Sequence, residues 1–325
     1  MNGSLNSTKL NLTGTPYEPV WIWLTSLLLP FIYIGNVLVI VSYFSNRLLH
    51  TRTYTLLVSL AVSDLIVGLI AVPFWIECMI HQTKCIQNLL LFKFLDLFSA
   101  FASILHLTTI TIERYVAICR PYFHARLSSR FHVGALIFVW TFPMTMAGLS
   151  WCFTDPPHRY TFNCTVFVLG FALPVTTIIS MYVGIFRAAK SLLKRQQRPY
   201  LYPNEKDTRK RLRDDRKVAV TVAVICGFFI VAWLPFFALS IIAGFCEQCL
   251  PDKIMNLHRM VAVVKLLHYG NSMVNPVVYT FRDREMRNTF VKILRIKVCW
   301  RRLASFRRKE KNTTYTTQMT ETRKN

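Results

Sequence analysis

Residues 94–119 read FLDLFSAFASILHLTTITIERYVAIC. At about 1.5 Å per helical residue the stretch is long enough to cross a bilayer. Asp96 stands near one end and the triplet Glu113-Arg114-Tyr115 near the other. Between them lie apolar and hydroxyl residues and one histidine, His106. Asp96 and Arg114 are 18 positions apart. At about 3.6 residues per turn that is five whole turns, so both face one side of the helix, about 27 Å apart. The stretch predicts a spanning helix with a charged group at each end of one face.

The rest of the chain repeats the theme. Of 325 residues 53% are hydrophobic and 17% charged, and mean hydropathy is +0.35. Soluble domains carry about 25% charged residues. Seven apolar windows are each long enough to span: Val20–Phe44, Leu56–Cys78, Leu89–Cys119, Val133–Cys152, Val166–Phe186, Val218–Ala243 and Met260–Phe281. None carries a polar stripe at helical spacing, which argues against a large soluble helical protein. No internal repeat of the transporter kind is visible. The expected fold is an all-α membrane protein, a seven-helix transmembrane bundle.

A net charge of +23 raises a nucleic-acid binder as a candidate. The distribution argues against it. Twelve Lys and Arg fall between Arg187 and Lys217 and fourteen after Phe281, 26 of the 39. Arg47 and Arg52 lie in the first short connection, and Arg120, Arg126 and Arg130 in the third. The alternate connections carry few: Lys84, Arg159, Lys253 and Arg259. The positive-inside rule then puts the N-terminus outside and the C-terminus in the cytoplasm, with the basic excess against the inner face of the lipid bilayer.

Residues 1–19 contain no apolar signal core, so the first span reads as an uncleaved signal anchor. Asn2, Asn6 and Asn11 each open an N-x-Ser/Thr sequon, which fits a glycosylated extracellular segment. Asn163 opens another, expected in an outer loop of roughly Trp151–Thr165.

Each span carries a marker: Gly35-Asn36 in the first, Leu60-Ala61-Val62-Ser63-Asp64 in the second, Glu113-Arg114-Tyr115 in the third, Trp140 in the fourth and Pro174 in the fifth. The sixth has Ala232-Trp233-Leu234-Pro235-Phe236 and the seventh Asn275-Pro276-Val277-Val278-Tyr279. In this order and placement the set resembles the rhodopsin-like (class A) G protein-coupled receptors. The third span, DLFSAFASILHLTTITIERYVAI, is similar to that of the biogenic amine and trace amine branch.

The resemblance implies a receptor, not an enzyme, that binds a small, cationic, amine-like extracellular ligand. It would activate a heterotrimeric G protein through outward movement of the sixth helix, with arrestin and a receptor kinase as further partners. An aspartate at the place of Asp96 binds the ligand ammonium in that branch, supported by a tyrosine at the place of Tyr269. Trp233, Phe236 and Phe237 would wrap the ligand and offer cation–π contact. Lys265, one turn above Tyr269, could instead pair with Asp96 at rest; the two readings are compatible if an incoming amine displaces the lysine. An opsin reading fails, because an opsin's lysine occupies the place of Tyr269. Val166, Phe167 and Gly170 stand where catecholamine receptors carry serines, which lowers a catechol ligand.

Asp64, Ser103, Asn271, Ser272 and Asn275 match the family's sodium pocket; a protonated Asp64 in a hydrogen-bond network is the alternative. No other cofactor is implied. Ile104, Pro174 and Phe229 match an apolar connector below the ligand. Arg114, with Glu113 and Tyr115, would form a resting ion pair to Asp215 and then meet the G protein, with Tyr182 and Tyr279 stabilising the open form.

Residues 282–298 form an amphipathic membrane-surface helix with Met286, Phe290, Ile293 and Leu294 on one face. Cys299 after it is a palmitoylation candidate, and residues 299–325 read as a basic, Thr-rich tail. These follow a transmembrane domain of residues 20–281. The family also bridges the outer end of the third span to the second outer loop, which implies Cys85 with Cys152 or Cys164. Cys246-x-x-Cys249 would staple the last outer loop. A same-fold receptor for a peptide or other non-amine ligand stays open, and a transporter or channel is a remote alternative.

Overall fold

The computed structural model describes residues 17–81, 88–153, 156–196, 227–242, 245, 249 and 254–295. Among them there is no strand. Seven helices follow one another: α1 (Pro19–Ser45), α2 (Arg52–Ile80), α3 (Leu89–Cys119), α4 (Ser129–Leu149), α5 (from Pro156 through Gln196), α6 (Gly227–Ile242) and α7 (Ile254–Arg282). A short helix, Pro121–Arg126, links α3 to α4, and α8 covers 284–295.

The burial pattern is that of a protein solvated by lipid. Apolar side chains such as Trp23, Ile34, Leu69 and Val231 point outward, while Thr25, Asn36, Ser42, Ser63, Asp64 and His106 are buried. A water-soluble bundle distributes these the other way. By length and composition α1 to α5 each suffice to cross a membrane. The helix α7 falls short of that apolar standard because Lys265, His268, Asn271, Ser272 and Asn275 lie along it, all turned into the bundle. Buried polar residues in a spanning segment mark its functional face. The helix α3 holds the centre, packing on α2, α4 and α5.

Two prolines shape their helices. The π segments Val67–Ala71 and Val168–Ala172 directly precede Pro73 and Pro174. A proline ring clashes with the carbonyl four residues back and has no N–H to give, and a widened turn relieves the clash. In α2 the Val72 N–H bonds the Val67 carbonyl, so the next carbonyl, Gly68, faces a proline nitrogen. The Tyr33 hydroxyl of α1 donates to it at 2.7 Å. Gly68 also permits the close approach, since a Cβ there would lie 2.9 Å from Ile32.

The expected third window and α3 share their bounds, but α5 begins ten residues before its expected start. The connection from α4 to α5 is therefore short. Asn163, expected in a loop, stands on a helix. Cys152 and Cys164 are both free, so neither bridges to Cys85, which lies outside the described residues. The brief connection has no length to fold back over α3. Trp151 makes the link instead: its indole N–H donates to the Leu90 carbonyl at 3.3 Å, and its ring lies 5.9 Å from that of Phe94. Cys78 and Cys249 are each disulfide-bonded; Cys246 lies outside the described residues, as do Asn2, Asn6, Asn11, Asp215 and Cys299.

Asp283 starts α8 by accepting from the backbone N–H groups of Glu285 and Met286 at 2.9 and 3.0 Å, and Tyr54 of α2 donates to its other oxygen. Arg282 belongs to α7, one residue beyond the expected end of the spanning segment. Met286 and Phe290 pack on Val39, Leu49 and Ala61, whereas Leu294, expected on that face, is exposed. Just before α1, Tyr17 stacks on His258 with ring centroids 4.3 Å apart, and burial pushes its hydroxyl up to about 12. Next to it, hydrogen bonding from Arg259 holds the Glu18 carboxyl below the usual range.

Candidate functional site

Asp96 lies about two turns into α3, and its side chain is only 13% exposed. Its Oδ2 takes a hydrogen bond from the Lys265 ammonium of α7. Its Oδ1 faces the Tyr269 hydroxyl at 3.4 Å and the His268 Nδ1 at 3.9 Å. The Lys265 ammonium sits among four rings, with Phe92 4.6 Å, Phe236 5.4 Å, Trp75 5.7 Å and Tyr269 5.8 Å away. A carboxylate inside an aromatic cage is a site for an ammonium group, and here the chain's own ammonium occupies it.

Below the cage, Trp233 packs on His268 with centroids 4.2 Å apart and on Phe236 and Phe237 at 5.8 and 6.1 Å. Phe237 in turn lies 5.0 Å from Phe171 of α5. Beside this layer a cavity of about 70 Å³ is lined by Leu97, Asn163, Phe167, Phe236 and Ser240, among others. Asn163 is thus a polar group of the cavity wall. Trp75, Phe92, Ser99 and Asn163 join the site without any signal in their own segments: each is set there by a neighbouring helix.

A second polar cluster lies deeper. Asn275 donates to Asp64 Oδ2 at 2.9 Å, and the buried Ser272 lies on the same helix one turn before it. Asn271 donates to the Ser103 hydroxyl at 3.0 Å, and Asn36 of α1 donates to the Ser272 carbonyl at 3.1 Å. Asp64 is fully buried and its Oδ1 has no partner. A buried, unpartnered carboxylate oxygen with hydroxyl and amide oxygens nearby fits a hard monovalent cation. Ile104 and Phe229 belong to one buried cluster with Trp233 and Phe237, and Pro174 is buried on α5. His106 is a core residue: Nδ1 donates to the Ala102 carbonyl at 2.7 Å, and Ser59 bridges Nε2 to the Trp140 indole.

Toward the C-terminal end of α3, Glu113 turns away from its neighbour in sequence. It accepts from Thr53 of α2 at 2.6 Å and pairs with His124 of the following short helix at 3.1 Å. Arg114 is half-buried. Tyr182 of α5 meets Thr111 at 3.4 Å. Tyr115 packs against α5, where a Cβ at Gly184 would lie 2.5 Å from the edge of its ring. Tyr279 is on α7, but its side chain is outside the described residues.

Residues 35–279, about three quarters of the chain, match the family model of the 7 transmembrane receptor (rhodopsin family). The chain belongs to this family, and it is a receptor rather than an enzyme. Octopamine receptor beta-1R of Drosophila melanogaster is 28% identical over 81% of this chain and 59% of its own length. Adenosine receptor A2a of Cavia porcellus is 31% identical over 83% of the chain and 71% of its own. 5-hydroxytryptamine receptor 1F of Mus musculus is 26% identical over 81% and 89%.

Proposed function

We propose that the protein is a plasma-membrane receptor, N-terminus outside, that binds a small amine-like ligand at Asp96 and signals through a heterotrimeric G protein. The observation that carries the reading is the aromatic cage around a buried carboxylate at the outer end of α3, already holding an ammonium group. The octopamine and 5-hydroxytryptamine receptors among its relatives support it.

A ligand entering beside Phe236 and Trp233 would repack Ile104, Pro174 and Phe229. That repacking would bias α6 toward its outward position. Asp64, with Ser103, Asn271, Ser272 and Asn275, would hold sodium in the resting form, the ion supplying the counter-charge that the buried carboxylate lacks. At the inner end Arg114 would exchange Asp215 for the G protein, with Tyr182 and Tyr279 bracing the open form; arrestin and a receptor kinase would share that face. Glycans on Asn2, Asn6 and Asn11, a Cys246–Cys249 staple and a lipid on Cys299 complete the proposal.

A second reading, a non-amine ligand at the same place, is favoured by the adenosine receptors among the relatives. A signalling screen of amines in cells, with Asp96→Ala and Asp96→Asn beside the parent, separates the two. The amine reading expects responses that both variants lose; equal responses would refute it.

A further inference from the structure

The two oxygens of Asp96 face different chemistry. Oδ2 is taken by the Lys265 ammonium. Oδ1 is not saturated. Ser99 gives its hydroxyl hydrogen to the Asp96 backbone carbonyl at 3.0 Å, so the 3.4 Å contact of Ser99 with His268 Nε2 requires the imidazole to donate there. In the neutral ring this leaves Nδ1 a bare acceptor. That atom is buried, has no hydrogen-bond partner, and points at Asp96 Oδ1 from 3.9 Å. Two acceptors this close can share one donor with several hydrogens, seated to one side of the line that joins them. An ammonium group is such a donor, with the Tyr269 hydroxyl alongside.

Charge then decides what else the ligand carries. Asp96 and Lys265 are both buried and together neutral. A simple monoamine added beside them leaves one net positive charge in a low-dielectric site, or forces the lysine out of its cage; either is strongly unfavourable. A ligand with both charges exchanges one buried ion pair for two and keeps the site neutral.

From this geometry, and resting on the amine reading above, we propose that the receptor's ligand is a zwitterion of the α-amino acid type. Its ammonium sits beside Asp96 Oδ1 and His268 Nδ1 and donates to both, and its carboxylate binds the Lys265 ammonium. Phe236 both touches the lysine and lines the neighbouring cavity, so an aromatic or apolar side chain on the same small molecule enters past that ring. Lys265 is the specificity-determining residue: it selects for the carboxylate.

The test uses matched probes: phenethylamine and phenylalanine, tyramine and tyrosine, tryptamine and tryptophan. G protein activation and thermal stabilisation of the purified full-length receptor are measured for the parent, Lys265→Met, Lys265→Arg and Asp96→Asn at matched surface expression. In the parent the amino acid of at least one pair acts at a concentration about tenfold lower than its amine. Lys265→Met reverses that order and Lys265→Arg preserves it. The parent ranking alone decides the matter if Lys265→Met does not reach the surface. Amines more potent than their amino acids in the parent overturn the zwitterion proposal and leave the amine reading standing. An amino acid that acts equally on the parent and Asp96→Asn overturns both. Failure of all six probes to stabilise or activate the parent also overturns the proposal.

Discussion

The Lys265 ammonium of α7 bonds the Asp96 carboxylate of α3 inside the membrane, where each side chain is almost out of contact with solvent. Removing one member of a buried pair strands the other's charge, at a cost of about 3–5 kcal/mol. Asp96→Asn and Lys265→Met should each lower the melting temperature of the purified receptor. The double variant, with no stranded charge, should be more stable than either single one. A double variant less stable than both would mean that the pair is not the principal interaction of either residue.

The unpartnered Oδ1 of Asp64 yields a prediction about salt. Ligand affinity in the parent should fall as sodium replaces a large organic cation at constant ionic strength. Asp64→Asn, which keeps the shape and removes the charge, should make affinity indifferent to the exchange. Equal sodium sensitivity in the two proteins would remove Asp64 from the ion site.

Glu113 is held by Thr53 and His124. Each such hydrogen bond contributes about 0.5–1.5 kcal/mol, so losing one shifts a two-state equilibrium by a factor of about 2 to 13. His124→Ala should raise ligand-independent nucleotide exchange by a factor in that range. Unchanged basal exchange would show that the pair is present in both states.

Packing gives a sharper case. A Cβ at residue 184 would stand 2.5 Å from the Tyr115 ring, so Gly184→Ala must displace that ring. Overpacking of this kind costs about 1–3 kcal/mol. The variant should melt at a lower temperature, and Tyr115→Ala in the same chain should recover part of the loss. No shift in the single variant would mean that α3 and α5 separate freely there.

Much of this was legible in the sequence, for identifiable reasons. The bounds of α3 follow from hydropathy alone, because a bilayer-spanning helix has no amphipathic ambiguity to resolve. Asp64, Asp96 and Lys265 stood out because ionisable groups are rare in such windows. The early start of α5 did not, since Pro156–Asn163 is polar and reads as loop. The bridge from Cys85 failed with it: a helix in place of a long loop leaves Cys152 and Cys164 free. Alkylation of denatured, unreduced protein followed by peptide mapping should accordingly modify both. The cage rings Trp75 and Phe92 were invisible for a different reason, because contacts between helices depend on their rotation, which periodicity inside one helix does not report.

In the proposed mechanism Asp96 receives a ligand's ammonium and this drives the G protein. Nucleotide exchange by a purified G protein, stimulated by purified receptor with an active amine or amino acid, tests it most directly. The parent should accelerate exchange when the ligand is added, and Asp96→Asn at equal amount of folded receptor should not. Equal acceleration by both proteins would contradict the account.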